Sequence, residues 1–295
     1  MSGRPGLANA AFARRDGVSL EVEVLRLETL LRPPFKRATT APTRTDFHTL
    51  LFVEAGDSSH YVDFERQPVG AGDLLVIPEG RVQAFDQARA IHGYLVLFTS
   101  GYLARCDLGT NGLAAAADGL LRAGLRVSLG YASRQRLHDA VATLARYAQP
   151  SPTDDHVDDA IAAAFALLVF VTAGLPEATT AVQASVSRDP LVTRFLVLLE
   201  ENFRAWHQVS AYARALCVAP RTLDRHLRAD QDRTTRQVIA ARLVLEAKRL
   251  LTRQDLPVKS IAYALGFSEP NNFTRFFVTQ TGLSPGAFRQ SLVAG

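Results

Sequence analysis

Residues Val258 to Arg289 read VKSIAYALGFSEPNNFTRFFVTQTGLSPGAFR. Apolar Val258, Ile261, Ala262 and Leu265 recur at helical spacing, so one face of this stretch is predicted to be buried. Gly266 then permits a left-handed turn without the penalty of a Cβ. Ser268 is the expected N-cap, and Glu269 and Pro270 open a second helix. On that helix Phe273, Phe276 and Phe277 turn inward and leave Asn271, Asn272, Thr274 and Arg275 outside. Gly282, Leu283, Ser284 and Pro285 stop it. Such a pair of helices, the second showing amides, a hydroxyl and a guanidinium, has the pattern of a helix-turn-helix offering hydrogen bonds to DNA bases. A plain helical hairpin shares the local pattern, so the rest of the chain has to decide.

The stretch has an echo upstream. Val209 matches Val258, Ala213 matches Ala262, Ala215-Leu216 match Ala264-Leu265, and Cys217-Val218 match Gly266-Phe267, all 49 positions apart. The offset then becomes 50, with Leu223 on Phe273, Arg225 on Arg275 and Leu227 on Phe277. One residue has therefore been inserted in the second turn. Between the repeats, Thr235 to Leu251 carries Val238, Ile239, Leu243, Leu245, Leu250 and Leu251 on a buried side. At ~1.5 Å per residue this is a rod of roughly 25 Å. Two reading helices on such a rod could sit about one DNA turn, near 34 Å, apart.

Charge follows the same division. Residues 187–295 hold 16 Lys+Arg against 9 Asp+Glu, a balance of +7, while residues 1–186 are at −3 within a chain of +4. A basic third on an acidic body points to a polyanionic partner for that third alone. At 295 residues, 47% hydrophobic and 21% charged, the chain has the composition of a globular protein with more than one domain. Cys106 and Cys217 lie far apart and in no metal-ligand spacing, which implies reduced thiols and a cytoplasmic setting. No apolar signal core opens the chain, and the apolar run Ala160 to Gly174 is too short to span a membrane.

The N-terminal part is predicted to be β-rich over about 18–106, with alternation from Val18 to Leu27, short strands at His48–Val53, Tyr61–Glu65, Leu74–Ile77 and Ile91–Phe98, and turn residues between them. Gly72-Asp-Leu-Leu-Val-Ile-Pro78-Glu-Gly80-Arg-Val-Gln83 resembles the second motif of a cupin barrel, with Gln83 where a metal histidine would stand. An amide is a poor ligand for transition metals. His48 stands alone, and no two of the seven histidines are three to five residues apart. A metal-dependent cupin enzyme is therefore the weaker reading, and a barrel mouth that binds a small molecule the stronger. Phosphate-cradling glycine loops, nucleophile elbows and paired carboxylates are absent from the sequence. Residues 131–149 and 156–173 read as amphipathic helices that either form a dimer seam or pack on the barrel. Leu175 to Arg188 lacks periodicity and reads as a linker.

The C-terminal hundred residues resemble the AraC/XylS family of transcriptional regulators. The residues that carry the resemblance are Arg242-Leu-Val-Leu-Glu246-Ala-Lys-Arg-Leu-Leu251, Ile261 to Phe267, Phe273-Thr-Arg-Phe-Phe277, Gly282 to Pro285 and Phe288-Arg289. The N-terminal part resembles, more loosely, the cupin-like sensor of the same family through His48-Thr-Leu-Leu, Tyr61 to Phe64 and Pro78 to Gly80. The resemblance implies an α+β multidomain chain: a sensing and dimerising domain over 1–174, a linker over 175–186, and an all-α DNA-binding domain with two helix-turn-helix units over 187–295. It further implies a DNA-binding regulator, an activator controlled by a small molecule, with RNA polymerase as a partner and a homodimer as a possible state. It implies no catalytic residue, cofactor or metal. An effector-independent DNA-binding protein is the remaining alternative. Carried over by position, the expected base readers are Arg221, Asp224, Arg225, Asn271, Asn272, Thr274 and Arg275. Asp224 either accepts from a cytosine or pairs with Arg228. Arg214, Lys248, Arg249 and Lys259 are expected on phosphates. His48, Phe52, Tyr61, Phe64, Val76 and Gln83, with the arm Phe12 to Arg15, are the expected ligand pocket.

Overall fold

The computed structural model describes residues 21–30, 42–86, 91–106, 112–148, 157–185 and 187–294. The arm Phe12 to Arg15 and the first turn of the expected strand from Val18 lie outside them. The chain divides into two compact units, one ending at Ser185 and the other continuing from there to the C-terminus.

The first unit is built on antiparallel strands β1 (Val22–Arg26), β2 (Thr43–Arg44), β3 (His48–Val62), β4 (Glu65–Gly70), β5 (Asp73–Ile77), β6 (Val82–Phe85), β7 (Ile91–Phe98) and β8 (Arg126–Ser128). The two strands expected at His48–Val53 and Tyr61–Glu65 are one 15-residue strand and the start of the next. The first half of β3 lies between β5 and β7, and its second half between β4 and β6. A register shift between Val53 and Ala55 marks the change, as bulges do where a sheet bends. The bend lets Leu51, Val53, Leu75, Ile77 and Leu95 meet Val69 and Phe85 across the interior of the folded sheet.

Alternation puts Leu50, Phe52, Leu74, Val76, Tyr94, Val96 and Phe98 on the opposite face. There they bury the helices α2 (Ser100–Cys106), α3 (Gly112–Ala123), α4 (Tyr131–Tyr147), α5 (Val157–Ala173) and α6 (Pro176–Ser185). A four-residue helix, α1 (Leu27–Leu30), follows β1. The central strands are covered on both faces, which is why they read as apolar runs rather than alternating ones. The helices read at 131–149 and 156–173 are α4 and α5. The expected linker is a correction: residues 176–185 are helix α6, part of the first unit. Leu175 and Ala178 are buried in the same core, and Glu177 accepts from the Gly130 N–H and the Ser133 hydroxyl, both at 2.8 Å. No single described helix is long and apolar enough to cross a membrane.

The second unit is all-helical: α7 (Pro190–Asn202), α8 (Val209–Ala215), α9 (Pro220–Gln231), α10 (Thr235–Leu251), α11 (Val258–Ala264), α12 (Pro270–Thr281) and α13 (Pro285–Ala294). The repeat is visible in its core. Tyr212, Ala213, Leu216, Leu223 and Leu227 are buried in the first hairpin, and Ile261, Ala262, Leu265, Phe273 and Phe277 in the second. Phe276 is only half-buried and leans on Phe267, ring centroids 5.4 Å apart. The rod α10 starts with a capping box between Thr234 and Gln237.

In the middle of α10 the Glu246 carboxylate is 1% exposed and meets three guanidiniums: Arg204 at 3.1 Å, Arg242 at 3.2 Å and Arg249 at 3.5 Å. Arg242 also reaches Glu200 at 2.9 Å and lies over the Phe203 ring. Removing one member of such a buried group strands the others. Glu246→Ala is expected to lower stability by about 3–5 kcal/mol in urea unfolding of the full chain. Glu200→Ala, at the exposed end, is expected to lose no more than about 1 kcal/mol. Equal losses for the two would show that the buried carboxylate is not the organising charge.

Candidate nucleic-acid interface and sensor site

Each reading head is a short helix, a left-handed turn and a longer helix beginning with proline at its first position. The turn residues are Cys217, at φ 57°, and Gly266, at φ 79°. The expected N-cap Ser268 is another correction. Glu269 occupies the N-cap of α12 as Ala219 does that of α9, and neither makes a side-chain capping bond. Ser268 falls in the longer turn, next to the inserted residue.

The segment leading into the first head meets the turn of the second. The His207 Nε2–H donates to the Leu265 carbonyl at 2.8 Å, and the His207 ring packs on Phe267 at 4.8 Å. A Cβ on Gly266 would stand 1.8 Å from the Arg204 carbonyl oxygen. Here glycine is required twice over, by its dihedral angle and by the backbone it touches.

Of the expected base readers, Arg221, Arg225, Asn271, Asn272 and Arg275 are exposed on the two second helices. Thr274 is half-buried and its hydroxyl donates to the Pro270 carbonyl at 3.1 Å. Asp224 has structural work. One of its oxygens accepts from the Thr235 N–H at 2.9 Å, at the start of α10, and the other from Arg228 Nε at 2.9 Å. The Arg228 bond first, then the Thr235 N–H, holds its carboxyl below the usual aspartate range. Of the two roles open to Asp224, pairing with Arg228 is the one the geometry has. Among the expected phosphate contacts, Arg214 and Lys259 are exposed, and the half-buried Lys248 has its ammonium 5.7 Å from the Phe288 ring centroid. Arg249 is a correction: it is 6% exposed and turned into the core toward Glu246. Its position on the rod gave no sign of this, because only the fold brings Arg204 to the same carboxylate.

The expected ligand residues do not line one cavity. His48, Phe52 and Val76 belong to the helix-covered side of the sheet, and Phe98 packs on the His48 ring. The Glu79 N–H donates to His48 Nδ1 at 3.0 Å, so Nε2 carries the hydrogen and donates to Ser100 Oγ at 2.8 Å. In that tautomer His48 cannot take a proton from Ser100, so the pair is not a nucleophile and its base. Burial lowers the His48 pKa, against an opposing pull from Glu79. Phe64, at φ 72°, sits beside Asp63 at the tip of the β3–β4 hairpin, and Tyr61 is half-buried one position from the interior face. An apolar cleft of about 20 Å³ lies between Leu50, Val76 and Phe98 of the sheet and Leu120, Phe165 and Thr172 of the helices. That is room for about one water, and of the expected residues only Val76 borders it.

Gln83 faces the interior instead, in a polar cluster the sequence did not reveal. Its amide donates to Thr49 Oγ1 at 2.9 Å and Thr45 Oγ1 at 3.4 Å, and its Oε1 accepts from His60 Nε2 at 3.1 Å. His60 is wholly buried, its ring edge-on to Phe85, and its Nδ1 has no partner among the described residues. Burial pushes the His60 pKa down to about 4, against a smaller opposing effect from Gln83. Among the described residues no three His, Cys, Asp or Glu side chains are grouped as a metal site needs.

A nucleic-acid-reading unit behind a folded-sheet unit with a buried polar cluster defines a class of protein, the ligand-binding DNA-binding regulators. Comparison with known proteins agrees. Residues 28–169 match the AraC-like ligand binding domain, and residues 212–291 match a helix-turn-helix domain. The chain belongs to the AraC/XylS family of transcriptional regulators. It is 24% identical over 254 residues to the HTH-type transcriptional activator RhaS of Klebsiella pneumoniae (strain 342), covering 83% of this chain and 86% of the relative. Among solved structures it is similar to ToxT from Vibrio cholerae, at 10% identity and TM-score 0.45 over 92% of this chain and 97% of that one. It is also similar to the DNA-binding domain of AdpA, at 30% identity and TM-score 0.33 over 36% of this chain and 95% of that one.

Two measurements check this geometry. Gly266→Ala is expected to destabilise the full chain by more than the ~1–2 kcal/mol that a Cβ costs in the left-handed region, because the Arg204 carbonyl must move as well. Cys217→Gly, with the same turn and an exposed side chain, is expected to stabilise by up to about 1 kcal/mol. Equal effects of the same sign would contradict the seam. The unfolded chain binds a proton at His60 near pH 6.5, and the fold refuses it down to about pH 4. Stability from this residue is therefore full above pH 6.5 and falls with pH below it, by on the order of 3 kcal/mol near pH 4. Urea midpoints between pH 7 and 4.5 should drop less in His60→Gln than in the parent chain. Identical pH slopes would mean that His60 is not held neutral.

Proposed function

We propose that this protein is a transcription activator of the AraC/XylS family whose two helix-turn-helix heads read adjacent elements of one operator, under the control of a small molecule bound in the N-terminal unit. The observation that carries this reading is the repeated pair of heads, each exposing uncommitted donors on the first turns of its second helix: Arg221 and Arg225, then Asn271, Asn272 and Arg275. These side chains match the hydrogen-bonding edges of bases in the major groove. Arg214 and Lys259, and Lys248 less directly, are placed to meet phosphates, which fix register without reading sequence.

Activation is favoured by the activators among the relatives, and RNA polymerase is then the partner. The small-molecule reading is supported by the buried His60–Gln83–Thr49 cluster, which offers an unfilled acceptor in the interior of the sheet. The exposed side of α5, with Leu167 and Phe170 at 48% and 46% exposure, is suited to a second copy of the chain. A regulator of this kind works in the cytoplasm. A metal-dependent cupin enzyme is disfavoured by the commitment of Gln83 to His60 and Thr49, and effector-independent binding by the polar interior just described.

Arg275→Ala and Arg225→Ala are each expected to weaken specific operator binding by about 1–3 kcal/mol with little change in melting temperature, since both side chains are exposed. Mobility shifts of the full chain at fixed salt measure this. Unchanged affinity for both variants would remove the heads from the DNA interface.

A further inference from the structure

We infer that the two heads select elements of different base composition: Arg221 and Arg225 on α9 choose guanines, whereas Asn271 and Asn272 on α12 choose adenines, with Arg275 adding a guanine to the second element. The inference rests on the reading that both heads enter the major groove.

On α9 the chemistry is one-sided. Arg221 and Arg225 are exposed, and neither side chain has a hydrogen bond or ion pair among the described residues. A guanidinium only donates, and guanine is the base whose major-groove edge offers two acceptors, O6 and N7. The acceptor that could have broadened this face is Asp224. Both of its oxygens are engaged, by Thr235 and by Arg228. Arg228 is held by the same contact. With its carboxylate spent inside the fold, this head offers no charged acceptor to the amino group of cytosine or adenine, and an element without guanine leaves its guanidiniums unmatched.

On α12 the chemistry is two-sided. Asn271 and Asn272 are exposed and likewise uncommitted, and an amide both donates and accepts. That matches adenine, whose edge pairs the N7 acceptor with the N6 donor. Thr274 spends its donor on the Pro270 carbonyl, so the amides and Arg275 carry the selection.

The seam between the heads bears on spacing. His207 bonds Leu265, and Gly266 lies against the Arg204 carbonyl, so the second head is tied to the segment that leads into the first. The two elements are then held about one helical turn apart, near 10 base pairs, with little tolerance for insertions.

The test is selection of binding sites by the full chain from a random duplex pool, followed by affinity measurements on the enriched duplex. The expected site has a guanine-bearing element and, about one turn away, an adenine-bearing one. Replacing guanine by 7-deazaguanine in the first element removes N7 and is expected to weaken the parent chain on the order of tenfold, while leaving the Arg221→Ala, Arg225→Ala double variant nearly unaffected. Replacing adenine by 7-deazaadenine in the second should act in the same way on the parent chain and not on the Asn271→Ala, Asn272→Ala double variant. Inserting five base pairs between the elements should abolish specific binding. If the deaza substitutions leave the parent chain unchanged, or if both variants lose discrimination at the same element, the assignment of bases to heads is overturned even though the protein reads DNA. Enrichment of no sequence at all would overturn the DNA-reading function itself. The deaza probes on the parent chain decide the matter even where a variant folds poorly.

Discussion

The DNA-binding unit depends on where the charge of Glu246 goes. A carboxylate 1% exposed in the middle of a helix is tolerable only with strong partners. It has three, and they come from different places. Arg242 and Arg249 lie on its own helix, and Arg204 comes from the segment after α7. Arg242 extends the group to Glu200 on α7 and to the face of Phe203. The charge therefore fixes the segment 203–207 against the rod. That same segment supplies the Arg204 carbonyl and the His207 ring to the turn of the second head. Two hairpins, each too small to hold its own geometry, thereby share one framework. Asp224 adds a second tie, linking the first reading helix to the start of the rod, and Arg289 a third, donating to the Leu251 and Leu256 carbonyls at the rod's other end.

How much of this the sequence revealed follows from how far each signal reaches. The two hairpins, the rod and the inward faces of Phe273 and Phe277 were legible, because burial of one helix face is a local, periodic property. The duplication made them more legible, since each copy corroborates the other. The pairing of Asp224 with Arg228 was one of two open readings, and the burial of Arg249 was not legible. A charged residue on a helix face looks the same whether it meets solvent, a phosphate or a buried partner. The residues that decided these two, Thr235 for Asp224 and Arg204 on the Glu246 that takes Arg249, become neighbours only when the chain folds.

The N-terminal unit adds a different reason. Alternation along β3 is a sound guide only while the register holds. Counting by twos from Thr49 would turn His60 away from the interior. The register shift between Val53 and Ala55 changes the parity, and His60 instead enters the interior with Gln83 and Thr49. A bulge has no reliable mark in sequence, so the buried cluster stayed hidden although Gln83 itself was noticed. The helix before the DNA-binding unit is hidden in the sequence for a related reason. Ala, Thr and Ser suggested a linker, while the decisive contacts of Glu177 are with Gly130 and Ser133, far upstream.

The single inserted residue of the repeat now has a physical meaning. The first turn runs from Cys217 to Pro220 and the second from Gly266 to Pro270, one residue longer. The added length lies beside Phe267, whose ring packs on His207, Phe273 and Phe276. Its counterpart, Val218, carries no ring. The insertion thus lies beside the place where the second head meets the 203–207 segment. Contact with that segment accounts for the difference between the two turn residues. Both adopt the left-handed conformation, but the Cys217 side chain is exposed and only its dihedral angle opposes a Cβ, whereas at Gly266 the Arg204 backbone occupies the space. A duplicated hairpin cannot stay symmetric once one copy must pack on the segment that leads into the other, and the departures from the repeat trace that surface.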